Sequence, residues 1–379
     1  MSEVRLSTLK TRVLSSIEKL ASSLENMINK KRILNPMDLS NLTVAYLYLG
    51  EITGNEFYYQ KSLVILKDIL KRQNADGSWN EIYPGINSKS TLATAYIGCN
   101  LLKLTIIDGE LATGTKRSVL EASHYVAKKE LAPGYFLKSE INDNDTVNVN
   151  MICSLYFLRL YKYAGVQEFL RIADRTSKRV IRSQLSSGAF PYYTDKKSHL
   201  APIHYHAFMT KLLSEYLCLT FDEDVKASLM KAVSWLIRRF DDAGKISWSG
   251  DLGIWTYRSF SDYGYAFYGL LFAGGFDEYF RAWSERVFLY MNRNQLQDGS
   301  FPAIDNEKNM GKIRADIANV IRLILHRDFL AILSLFEVEF NRRSSNISFE
   351  KVTANTQLLE ALTSSYRALL WAPENAPLA

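Results

Sequence analysis

The feature that most constrains this chain is a turn that recurs. Gln73-Asn-Ala-Asp-Gly77-Ser-Trp79, Gln184-Leu-Ser-Ser-Gly188-Ala-Phe190 and Gln295-Leu-Gln-Asp-Gly299-Ser-Phe301 share the pattern Gln-x-x-x-Gly-x-aromatic. Weaker versions surround Gly134-Tyr-Phe136 and Gly244-Lys-Ile-Ser-Trp248. The five glycines follow one another at intervals of 57, 54, 56 and 55 residues. A near-constant period of this length marks a repeat architecture. Glycine supplies the left-handed backbone that ends a helix, and the aromatic two residues later can fold back between neighbouring helices.

Each period holds two helices of different character. Lys61–Arg72, Phe169–Ser183, Lys226–Phe240 and Tyr279–Asn294 carry charges on one face only. Thr91–Leu104, Met151–Tyr161, His206–Leu219 and Ala266–Gly274 are apolar nearly all round. A helix apolar on every side is buried on every side. Outer amphipathic helices alternating with inner buried ones predict an all-α, (α/α)6-type toroid of about six hairpins. The 379 residues read as one domain, with a polar loop over 340–349 and a frayed tail over 371–379.

Composition narrows the function classes. Lys and Arg total 46 against 40 Asp and Glu, a mild excess, and no basic block with interleaved aromatics suggests nucleic acid. The cysteines Cys99, Cys153 and Cys218 are scattered and odd in number, so a disulfide framework is not expected. The first 29 residues alternate charged and apolar positions, as in an amphipathic helix rather than a secretory leader. No apolar run approaches the ~20 residues of a membrane span. A cytoplasmic protein with a small-molecule or oligosaccharide substrate is the expectation.

In a toroid the inner helices start at one mouth, so their first turns are the place to look for chemistry. His204-Tyr205-His206 is the sharpest cluster there, because the chain has only five histidines. Histidine serves as acid or base near neutral pH. His206, Tyr205 and His204, with Tyr263 and Asp145, are the catalytic candidates. Arg258, Arg314, Asn148, Asp262, Trp79, Trp248 and Tyr193 are the substrate-binding candidates. His-x-His places the two rings on different helix faces, and no ligand spacing accompanies it, so no metal is expected. No phosphate-binding glycine loop occurs, and no cofactor is expected.

The Gln-x-x-x-Gly-x-Trp/Phe turn resembles the QW repeats of triterpene cyclases and prenyltransferase β subunits. That resemblance implies the toroid, and a cyclase or isoprenoid-binding role as one function. The acid motif of such cyclases would fall on Asn142-Asp-Asn-Asp-Thr146, with Asn144 at the acid position. Gln184–Phe190, Tyr192-Tyr193 and Tyr205-His206 look like the toroidal part of heparinase-like lyases and glucuronyl C5-epimerases. That second resemblance implies Tyr and His moving a proton on a uronate, with Arg258 or Arg314 holding its carboxylate. Trp79 and Trp248 would stack on sugar rings. A carbohydrate-active enzyme of lyase, epimerase or hydrolase type is the leading expectation. The cyclase and a non-catalytic binding toroid are the alternatives.

Overall fold

A computed structural model describes residues 3–29, 34–83, 86–104, 109–142, 144–194, 201–246, 259–302 and 347–371. Twelve helices form among the described residues. They are α1 (Glu3–Asn29), α2 (Pro36–Thr53), α3 (Glu56–Lys71), α4 (Thr91–Leu104), α5 (Gly109–Lys128), α6 (Val147–Ala164), α7 (Gln167–Ser183), α8 (Ile203–Thr220), α9 (Glu223–Ile237), α10 (Phe260–Ala273), α11 (Glu278–Arg293) and α12 (Ile347–Trp371). The even-numbered helices pack in the order α2, α4, α6, α8, α10 and α12, and α12 returns to α2 to close an inner ring. The odd-numbered helices lie outside, α1 against α12 and each of the others against the inner helix before it. The chain is an all-α toroid of six hairpins. No helix among the described residues is long and apolar enough to cross a membrane.

Burial follows the sequence pattern. In α2 every residue from Pro36 to Leu49 is buried. In α7 only Ile172, Ala173, Thr176, Ser177, Val180 and Ser183 are buried, one stripe at helical spacing. The inner helices α6 and α8 begin earlier than their apolar runs suggest, at Val147 and Ile203. Their first turns hold the polar residues Asn148, Asn150, His204 and His206, which packing accepts because several are tied to the turns. Residues 347–349, read as the end of a polar loop, are the first turn of α12. The stretches 340–346 and 372–379 lie outside the described residues. Two small antiparallel hairpins, β1 (Trp79–Tyr83) with β2 (Ile86–Ser90) and β3 (Glu130–Ala132) with β4 (Tyr135–Phe136), follow the first two turns.

The repeat is a clamp between successive outer helices. Gln73 Nε2 donates to the carbonyl of Gly77 and to that of Ser118 on α5, and the Ser118 hydroxyl donates back to Gln73 Oε1. Gln184 does the same with Gly188 and Ser228 on α9. Gln295 does it with Gly299 and Ser16 on α1, so the last clamp fastens onto the first helix and closes the ring. Glycine is required for two reasons. Gly77, Gly188 and Gly299 have φ of 85°, 91° and 82°, and a Cβ there would lie 2.3–2.4 Å from a backbone carbonyl of the next outer helix. Among the described residues, Trp79 is fully buried and donates through Nε1 to the Ile69 carbonyl at 3.0 Å.

A second regularity links each turn to the inner helix after it. The backbone N–H of Trp79, Phe136, Phe190, Ile246 and Phe301 donates to the side chain of Thr94, Asn150, His206, Tyr263 and Asn355 respectively, at 2.8–3.2 Å. One acceptor position in the first turn of the inner helix is thus filled by five different polar residues. A buried backbone N–H needs such a partner.

His206 is therefore a structural residue. Its Nδ1 accepts from Phe190, its Nε2–H donates to the Ala232 carbonyl at 2.9 Å, and Trp235 packs against the ring. Burial pushes its pKa down to about 4. The unfolded chain binds a proton there at about pH 6.5 and the folded one does not, so stability falls as pH drops from about 6.5 to 4. The loss amounts to roughly 3 kcal/mol over that window. His206→Asn, which places the Asn150 and Asn355 solution at this site, is expected to remove that slope. Denaturant unfolding at stepped pH measures it, and an unchanged slope would refute the assignment.

Side chains from non-adjacent inner helices meet across the ring. Near the mouth, Tyr96, Phe208 and Tyr265 pack with ring centroids 5.1–5.9 Å apart. Beside them the Tyr96 hydroxyl and Asn100 Nδ2 donate to Asn41 Oδ1. Deeper lies a cluster of buried charges. Lys103 of α4 touches Glu215 of α8 at 3.1 Å and Glu360 of α12 at 3.0 Å. Lys211 touches Glu215 at 2.5 Å and Arg159 touches it at 2.9 Å. Lys211 also stands 3.2 Å from Glu360 Oε2, an ion pair without hydrogen-bond alignment. Although burial works the other way, the Lys103, Lys211 and Arg159 cations hold the Glu215 carboxyl well below its usual range.

Candidate functional site

The mouth of the ring is built by first turns of inner helices and by the segments that follow the repeat glycines. Pro202 N-caps α8 in extended backbone, which starts the helix at Ile203 and puts His204 on its first turn. Ser259 caps α10 in a capping box, with the Ser259 N–H donating to Asp262 Oδ2 at 3.0 Å. The other oxygen of that carboxylate, Oδ1, stands 2.5 Å from His204 Nδ1. Asp262 is fully buried while the His204 side chain keeps 24% of its exposure. Burial raises the Asp262 pKa, and the neighbouring His204 charge opposes that rise. A carboxylate on Nδ1 fixes ring orientation and tautomer, with Nε2 as the basic nitrogen.

Three aromatic rings continue from this pair. His204 and Tyr205 lie 5.2 Å apart edge to face, Tyr205 and Tyr192 4.6 Å apart, and Tyr192 and Tyr193 4.7 Å apart. The adjacent Tyr192 phenol and burial push the Tyr205 pKa well above its usual value, so Tyr205 is a neutral proton donor at pH 7. Lys138 and Glu81 are close enough to act on its charge, one lowering and the other raising that pKa.

Lys138 and Glu81 were not singled out in the sequence, yet a signal exists. Each is the fourth residue after its repeat glycine, Gly134 and Gly77, and Tyr192 stands fourth after Gly188. The same register position feeds side chains to one place from three hairpins.

The other sequence candidates separate by position. Tyr263 is no acid or base at the mouth: it is fully buried, its hydroxyl accepts from Ile246, and it packs on Phe260 and Tyr290. Asp145 faces outward, where Oδ1 accepts from Asn150 at 2.6 Å and Oδ2 from Arg179 of α7 at 2.6 Å. Trp79 is sealed inside the wall and offers no face to a sugar. Asn148 is buried on α6, two residues before the acceptor Asn150, as His204 stands two before His206. Arg258, Arg314 and Trp248 lie outside the described residues.

No protein-family model and no curated protein sequence matches the chain. Solved structures do. An alpha-1,6-mannanase from Salegentibacter is similar with a TM-score of 0.62 at 12% identity, over 93% of this chain and 99% of that one. A cellobiose 2-epimerase from Bacillus thermoamylovorans is similar with a TM-score of 0.61 at 11% identity, over 70% and 78%. A type II terpene cyclase from Scytonema is similar with a TM-score of 0.55 at 12% identity, over 93% and 99%. These likenesses establish the fold: the chain shares the α/α toroid of enzymes that act on sugars and of a terpene cyclase.

Proposed function

We propose that the chain is a carbohydrate-active enzyme that moves a proton at a ring carbon of a uronate, by epimerisation or β-elimination. His204 is the base and Tyr205 the acid. The observation that carries this reading is the His204–Asp262 pair at the mouth beside a neutral phenol. His204 Nε2 takes the proton from C5, next to the sugar carboxylate. In elimination the electron pair closes a C4–C5 double bond, and the oxygen at C4 leaves with the Tyr205 proton. In epimerisation Tyr205 delivers its proton to the opposite face of C5. Lys138 holds the sugar carboxylate, with Arg258 and Arg314 as further cations, and Tyr192 and Tyr193 stack on the sugar. Asn148 and Trp248 complete the contacts. The sugar enzymes among the similar folds, one of them bound to mannotriose, support a glycan substrate. The free thiols Cys99, Cys153 and Cys218 fit a cytoplasmic setting.

A terpene cyclase-like reading has one observation in its favour. Asp262 is a buried carboxyl of raised pKa, in contact with a His204 ring that stands 6.3 Å from Tyr265 of the aromatic layer. The Asn41–Asn100 contact and the charged cluster beneath argue against a hydrocarbon cavity.

The test is deuterium incorporation into uronate oligosaccharides in heavy water, with unsaturated products followed by absorbance. His204→Ala is expected to lower turnover about 10²–10⁴-fold. Asp262→Asn is expected to lower it too while still capping α10. Tyr205→Phe should abolish elimination but leave exchange, and His206→Asn should leave both. Turnover that ignores His204, or no exchange on any uronate, would end this reading.

A further inference from the structure

Outside the ring of inner helices a second concavity opens beside Tyr193. It is a cleft of about 580 Å3 lined by Pro133, Arg175, Lys178, Arg179, Arg182 and Thr194, with Asp174 at its edge. That volume is in the range of small-ligand sites. Helix α7 supplies the cations, because Arg175, Lys178, Arg179 and Arg182 recur every three or four residues on one face. Three of the four carry an acid already. Arg175 is paired with Glu130, Lys178 with Asp174 at 2.9 Å and Arg179 with Asp145 at 2.6 Å. Arg182 has no ion-pair partner among the described residues, so the cleft keeps an uncompensated positive charge.

Two further polar atoms there lack a partner. Thr194 is 9% exposed, and its hydroxyl makes no hydrogen bond, although its backbone N–H is pinned to the Asp145 carbonyl at 3.0 Å. Arg179 presents one guanidinium nitrogen to Asp145, while its Nε is buried without an acceptor. Buried donors without acceptors are rare and call for a ligand that supplies one. Two donors and a spare cation, with no acceptor among them, select an anion with several oxygens.

We propose that this cleft binds an oxyanion: a carboxylate, sulfate or phosphate group. Its position suits the acidic group of an extended chain. Thr194 follows Tyr193, and the Tyr193–Tyr192–Tyr205 rings run from there to His204. An oligosaccharide reacting at His204 and lying along those rings brings a later unit's carboxylate to the cleft. This placement rests on the catalytic reading above, whereas the oxyanion site itself does not.

The experiment is equilibrium binding of inorganic sulfate and of a galacturonate hexamer and dimer, at constant ionic strength made up with chloride. The intact chain is expected to saturate with sulfate. Arg182→Ala should weaken that binding about tenfold or more and Thr194→Val about fivefold. Thr194→Val removes only an unpartnered hydroxyl, so its thermal midpoint should stay level or rise, which separates lost binding from lost folding. Sulfate competition and Arg182 dependence for the hexamer but not the dimer would assign the site to an acidic chain. Sulfate binding without hexamer competition would assign it to a free inorganic anion. No saturation by sulfate, or saturation untouched by both substitutions, overturns the site. Sulfate binding without deuterium exchange would leave the cleft and remove the catalytic reading. Exchange without sulfate binding would do the reverse.

Discussion

Glu215→Gln is expected to destabilise the fold by about 3–5 kcal/mol, measured by denaturant unfolding. Glu215 touches all three cations of the buried cluster, and only Glu360 would remain to balance Lys103, Lys211 and Arg159. Lys103, Lys211, Glu215 and Glu360 are at most 7% exposed, so water cannot take over the lost charge. The cluster holds three positive charges against two negative, and Arg159 is the most exposed member at 16%. Arg159→Met should therefore cost much less than Glu215→Gln, because it leaves two charges facing two. Equal losses for both variants, or a loss below about 1 kcal/mol for Glu215→Gln, would show that the cluster does not bind the ring together.

Gly299→Ala is expected to cost roughly 3–5 kcal/mol, combining left-handed strain with overpacking. The added Cβ would stand 2.3 Å from the Lys19 carbonyl and 2.8 Å from its carbon, so α1 must move. Gly54→Ala is the control. It has a similar φ of 66° but nothing within 4 Å, and should show the backbone strain alone, about 1–2 kcal/mol. Unfolding curves compare the two, and limited proteolysis reports whether α1 comes loose. If the two alanines cost the same, the contact with α1 is not what the glycine protects.

The ring was legible because its causes are local. Glycine at a left-handed turn, glutamine before it and an aromatic after it are read directly at Gly77, Gly188 and Gly299. The site was less legible because one sequence position can serve two purposes. Polar residues recur at inner helix starts partly to accept a backbone N–H, which accounts for His206 and Tyr263 as it does for Thr94 and Asn150. His204, two residues earlier, is the ring that meets a carboxylate. Only its partner distinguishes the two histidines, and Asp262 lies 58 residues away. The buried charges were hidden for a similar reason. Lys103 and Glu360 are 257 residues apart, and each alone looks like an ordinary charge near a helix end.

The clamp from Gln295 to Ser16 spans 279 residues of chain. At synthesis rates of about 5–20 residues per second, α1 leaves the ribosome roughly a quarter of a minute to a minute before its partners exist. During that interval Leu9, Val13, Ile17, Leu20 and Leu24, all later buried, form a bare apolar stripe on a nascent helix. A closed ring thus imposes a waiting time on its first element that an open stack of the same hairpins would not. This chain depends on something to shield α1 until the last hairpin is made.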